Sequence, residues 1–153
     1  MLKIVHRVAA IVALLCIVSF FSATLVVELF GPTQWVASVK SMIVTPGLWI
    51  LIPALAVTGA SGFAISKQRR GKLVERKQKR MPFIALNGIF ILLPAAIMLD
   101  RWASSGSLDT AFYLLQVLEL AAGAVNIVLM SLNMRDGMRL GGRFKPNTGT
   151  AAG

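Results

Sequence analysis

Four stretches of this chain run for about the thickness of a bilayer with almost no charge, and few folds survive that constraint. Val8 to Val27 is 20 residues without a charged side chain, Ser41 to Ser66 is 26, and Met81 to Leu99 is 19. Thr110 to Met134 is 25 residues with Glu119 as its one charge. Crossing ~30 Å of hydrocarbon at ~1.5 Å per residue takes about 20 residues, so each window can span. Backbone amides and carbonyls find no partner in lipid, which selects helices over open strands. A charged fraction of 14% and a mean hydropathy of +0.74 point away from an ordinary water-soluble domain. The expectation is an all-α integral membrane protein, a four-helix up-down bundle. Its spans fall at about 8–30, 42–66, 81–99 and 110–134, within a single domain over residues 1–138.

The basic residues orient this bundle. Lys3 and Arg7 precede the first span, and Arg135, Arg139, Arg143 and Lys145 follow the last. Lys67, Arg69, Arg70, Lys72, Arg76, Lys77, Lys79 and Arg80 lie between spans two and three. These are 14 of the 16 cations, and they share one side; only Lys40 and Arg101 fall opposite. The positive-inside rule then places both termini in the cytoplasm of a multi-pass protein of the cell inner (plasma) membrane. Trp35, Trp102 and Tyr113 fall near the outer interface, where amphipathic rings anchor. The first apolar run exceeds the ~7–15 residues of a signal peptide, so it reads as a retained span.

The connections are short: 13 residues from Glu28 to Lys40, 14 from Lys67 to Arg80 and 10 from Asp100 to Asp109. None holds a folded domain, so a site must lie within the helices or at their ends. Pro46, Pro53 and Pro94 are expected to kink spans two and three, whereas Pro82 suits a first helical turn. The segment 139–153, rich in Gly, Thr and Ala, reads as a disordered cytoplasmic tail.

Inner faces follow from polar periodicity. Gln116, Glu119, Gly123, Asn126, Met130 and Asn133 recur every three or four residues, forming one stripe of span four. Glu119 lies near mid-depth, where an isolated acid costs at least ~2.5 kcal/mol. No Lys or Arg occurs at matching depth in another span. A neutral carboxyl bonded to Ser19, Ser22, Gln116 or a backbone carbonyl is therefore expected, rather than an ion pair. Asn87 and Asn126 lie about 9 and 10 Å from the cytoplasmic boundary, so their amides can meet across a helix interface. Thr58 and Gly62 form a small-xxx-small pair for close packing.

His6 is the only imidazole and Cys16 the only cysteine, which excludes a zinc site of Cys and His ligands within one chain. At the cytoplasmic start of span one, His6 reads either as an interfacial side chain or as an axial ligand of haem b. Ala10 and Ala13 lie one and two turns on, and Met81 and Met134 stand at similar depth as sixth ligands. Of the loop cations, Arg69, Arg70, Lys72, Arg76, Lys77, Lys79 and Arg80 suit anionic lipid headgroups better than nucleic acid, since no aromatics interleave them. Phosphate-binding, zinc-protease and serine-hydrolase motifs are missing from the sequence.

The opening Lys3-Ile4-Val5-His6, entering a membrane helix, resembles small four-helix bacterial inner-membrane proteins of the copper-resistance D-like and haem-binding type. Thr45-Pro46-Gly47 and the later Thr58-Gly59 are similar to the second helix of that group, so the resemblance covers two of four spans. It implies a haem or metal site completed by histidines on later helices; in this chain only His6 corresponds. Three functional readings stand at this point. The first is an accessory or assembly partner of a larger membrane complex. The others are a haem b protein using His6 and a small proton-coupled transporter using Glu119, which would need a homodimer or higher oligomer.

Overall fold

A computed structural model describes residues 1–67 and 72–140, and within them all regular structure is helical. Helix α1 spans Leu2–Phe30 and α2 spans Thr33–Met42; a π-helical turn, Ile43–Gly47, joins α2 to α3, Leu48–Lys67. Helix α4 spans Lys72–Asn87, and a second π-helical turn, Gly88–Leu92, joins it to α5, Leu93–Ser104. Helix α6 runs over Thr110–Leu140. Four helical units are long and apolar enough to cross a membrane: Leu2–Phe30, Thr33–Lys67, Lys79–Ser104 and Thr110–Arg139.

Proline explains where two of these units bend. Pro46 has no amide hydrogen, and its ring pushes Thr45 out of the helical region to φ −137°, ψ 110°. The chain therefore changes direction between α2 and α3. Gly47 is required at that bend, because a Cβ there would lie 2.7 Å from the Phe20 ring and 3.0 Å from the Met42 carbonyl. Pro94 opens α5 just after the second π-helical turn, which widens the helix where the ring needs room. Pro53 is accommodated within α3.

Three stretches are more helical than their sequence suggests. The connection of residues 28–40 is not a loop, since only residues 31 and 32 separate α1 from α2. The basic segment is helical from Lys72, so Pro82 sits inside α4 and not in a first turn. No Gly or Pro interrupts residues 72–81, and Glu75 in the first turn suits the helix dipole. Helix α6 continues past Met134 through Arg139 to Leu140; residues 141–153 of the tail lie outside the described residues.

The helices pack unevenly. Helix α1 lies along α3 for much of its length and also meets α6; α4 lies against α6, while α3 and α4 touch little. Ala13, Ile17, Leu51, Ile84 and Met130 form one packed cluster. At the other end α2 leans on α1 and α5, and Val27, Val36, Leu99, Ala103 and Phe112 form a second. The outward face is apolar, with Trp49 77% and Phe90 70% exposed, as a lipid-facing surface requires.

Candidate functional site

Because α3 and α4 meet little among the described residues, space is left between the helices. A cavity of about 720 Å³ lies among α1, α3, α4 and α6, within the range of small-molecule sites. Its lining on α1 begins at Lys3, His6 and Arg7 and ends at Thr24, a run of ~32 Å of helix. Leu14, Ile17, Leu51, Leu55, Ile84 and Leu92 are among its many apolar walls, and Glu119 stands near the far end. Gly59 on the α3 wall faces open space, and Gly88 on the α4 side has only Asn126 Nδ2 at 3.9 Å. The result is a long apolar slot, basic at one mouth and carrying a carboxylate at the other.

His6 stands at the basic mouth, held against α3. Its Nδ1 lies 3.1 Å from the Thr58 carbonyl and 3.0 Å from Ser61 Oγ. A carbonyl only accepts, so the tautomer with the proton on Nδ1 satisfies this contact and fixes the ring. Gly62 permits the approach, since a Cβ there would lie 3.0 Å from His6 Cε1 and strike the Met81 methyl group. Met81, Met134 and Met138 line the cavity at this same end. Ala10 also borders the cavity, whereas Ala13 is wholly closed into the packed cluster.

Along α6 the polar stripe is used at three levels. Lys40 Nζ donates to Glu119 Oε2 at 2.6 Å, and Gln116 Nε2 donates to the same oxygen at 3.1 Å. Glu119 thus forms an ion pair, which corrects the expectation of a neutral carboxyl without a cation at its depth. Ordering of residues 33–42 as α2, together with the bend at Thr45, carries Lys40 into the bundle, where it is 1% exposed. One level on, Asn87 Nδ2 donates to Asn126 Oδ1 and to the Ala122 carbonyl, both at 2.9 Å. At the third, Arg80 Nη1 donates to Asp136 Oδ2 at 2.8 Å.

The headgroup candidates divide. Arg69 and Arg70 lie outside the described residues, and Lys72, Arg76 and Lys77 lie on α4 with side chains that are likewise outside them. Lys79 is exposed, while Arg80 is engaged with Asp136 and partly withdrawn from the surface. Sequence reasoning missed Lys40, Asp136 and the cavity. The single sequence signal for Asp136 was its spacing of three from Asn133, the next step of the α6 stripe.

Among the described residues no group of three or more His, Cys, Asp or Glu side chains is placed to hold a metal ion. In comparisons with known proteins, no family model, curated protein or solved structure matches this chain.

Proposed function

We propose that this is a small multi-pass protein of the inner membrane, both termini cytoplasmic, whose up-down bundle holds one amphiphile with an anionic head. The cavity carries the reading. It is long and lined mostly by apolar side chains, which suits an extended acyl or isoprenoid chain better than a compact polar solute. Lys3 and Arg7 at one mouth supply the charge that a phosphate or carboxylate head would seek. The thin α3–α4 wall gives such a molecule a route from the surrounding lipid. A holder of this kind serves as an accessory or assembly partner of a larger membrane complex, presenting or sheltering what it binds.

Mass spectrometry of the protein released from mild detergent should show an anionic lipid bound in stoichiometric amount. Gly59→Leu and Gly88→Leu, which build into open space from opposite walls, should each lower that amount several-fold without changing the helical signal. A wild-type protein that carries no such molecule, or cavity variants that retain it fully, would overturn the reading.

Haem b is the second reading, favoured by the position of His6, Met81, Met134 and Met138 at one end of the cavity. His6, with Nδ1 held by Thr58, and one of these methionines would hold the iron, and His/Met ligation raises a haem's reduction potential. The visible spectrum of the same preparation decides it: a Soret band that His6→Ala abolishes supports haem, and a colourless protein from haem-replete cells removes it.

A further inference from the structure

The length of the cavity selects among amphiphiles. Its outermost lining residues are Lys3 and Thr24 on α1, and Leu48 and Ser66 on α3. Along the α4–α5 unit they are Val74 and Ala96, and on α6 they are Glu119 and Met138. At ~1.5 Å per residue, each of these four runs is ~27 to 33 Å long. That is the ~30 Å depth of a whole hydrocarbon core, whereas the acyl chain of a membrane lipid fills one leaflet, ~15 Å.

The two ends are built differently. Lys3 and Arg7 border the cavity at one of them. One or two turns past the lining at the other, Val27, Val36, Leu99, Ala103 and Phe112 pack together, none more than 6% exposed. The cation of that end, Lys40, is itself 1% exposed and already engaged by Glu119 at 2.6 Å. A second anionic head would find no cation there and a packed apolar cluster in its way. Two lipids set tail to tail, one from each leaflet, need a head at both ends and do not fit this arrangement. A single diacyl lipid with its head at Lys3 and Arg7 would leave the far half of the walls without contact, and their dispersion attraction unmade. One head and one tail of full length satisfy both ends.

We propose that the occupant is a long-chain isoprenyl phosphate, its phosphate at Lys3 and Arg7 and its tail extended to the level of Lys40 and Glu119. The proposal rests on reading the cavity as an amphiphile site, and it narrows the class of amphiphile. Linear polyisoprenyl phosphates combine an anionic head with a single tail longer than one leaflet. At ~1.2 Å per bond of extended chain, ~30 Å takes about six isoprene repeats of four backbone bonds each. Shorter tails leave the far walls bare, and longer ones gain no further contact inside the cavity.

The test holds the phosphate head constant and varies the tail. Wild-type protein in phosphatidylcholine vesicles is offered farnesyl, geranylgeranyl or longer polyprenyl phosphates, or dioleoyl phosphatidic acid, and the complexes are weighed after release into mild detergent. Retention should rise about tenfold as the tail grows to about six repeats and then level off, with phosphatidic acid held no better than the short tails. This series needs no substitution. Gly59 lies ~10 Å and Gly88 ~21 Å from the basic ends of their walls, Ser66 and Val74. Gly59→Leu should therefore lower retention of every tail, whereas Gly88→Leu should lower that of long tails and keep farnesyl phosphate. Retention independent of tail length, or phosphatidic acid held as well as the long polyprenyl phosphates, singly or in pairs, would overturn the proposal and leave the broader amphiphile reading standing. Retention of none of these phosphates would overturn both.

Discussion

Helix α6 carries two acids ~26 Å apart, and the protein treats them differently. Glu119 meets a lysine that is 1% exposed, whereas Asp136 meets an arginine that retains 25% exposure. Lys40 reaches its partner from a helix that the Thr45–Pro46 bend directs into the bundle; Arg80 comes from the straight run of α4 directly beside α6. The first pair is enclosed and depends on long-range architecture. The second is near a surface and depends on two neighbouring helices. The two distances, 2.6 and 2.8 Å, differ by little, so enclosure from water is the main physical difference between the pairs.

The largest effect should come from breaking the enclosed pair. Lys40→Met removes the one cation near Glu119 and should cost about 3–5 kcal/mol in reversible unfolding from mixed micelles. Adding Glu119→Gln to the same protein should recover most of that loss, because the penalty lies in the stranded charge and not in the lost attraction. If the double variant is as unstable as the single one, Lys40 matters through packing of its stem alone.

At the other pair, Arg80→Ala should cost about 2 kcal/mol, less because water and the Arg135 guanidinium, 3.9 Å from Asp136 Oδ1, remain to serve the acid. Salt separates the two pairs further. Rising ionic strength should weaken the Arg80 contribution and leave that of Lys40 unchanged, as screening acts on partly exposed charges. Equal salt dependence would remove the distinction between them.

The middle of α6 offers a control without charge. Asn87→Leu should cost about 1 kcal/mol, the scale of interhelical hydrogen bonds in membranes, and show no salt dependence. This contact was legible in the sequence because Asn87 and Asn126 each lie a countable distance from a charged boundary on a continuous helix. The Lys40 contact was not, for a definite reason. Along an irregular connection Lys40 would stay outside the spans, whereas the ordering of α2 with the turn at Thr45 brings it to the depth of Glu119. The anchoring of His6 escaped similarly: Thr58 and Gly62 signalled close packing, but which helix end would arrive there is a property of the whole bundle. Spans and inner stripe could be read from periodicity. The cavity could not, because it is the volume left between α3 and α4 when each packs on other partners.

The smallest effect sharpens the comparison most. Arg80 uses one nitrogen, Nη1, on one oxygen of Asp136, and the other oxygen faces Arg135 Nε at 3.9 Å. The two-pronged geometry that makes arginine irreplaceable is therefore not in use between this pair. A lysine supplies the same single donor as a point charge, and the partly exposed position tolerates its hydration. Arg80→Lys should change stability by no more than about 0.5 kcal/mol. The matching exchange at the enclosed site, Lys40→Arg, places a bulkier group where nothing is exposed and should cost at least about 1 kcal/mol through overpacking. Both substitutions preserve charge, so any difference between them measures enclosure by itself. Equal costs in the same unfolding measurement would mean that the two ends of α6 are closed to the same degree.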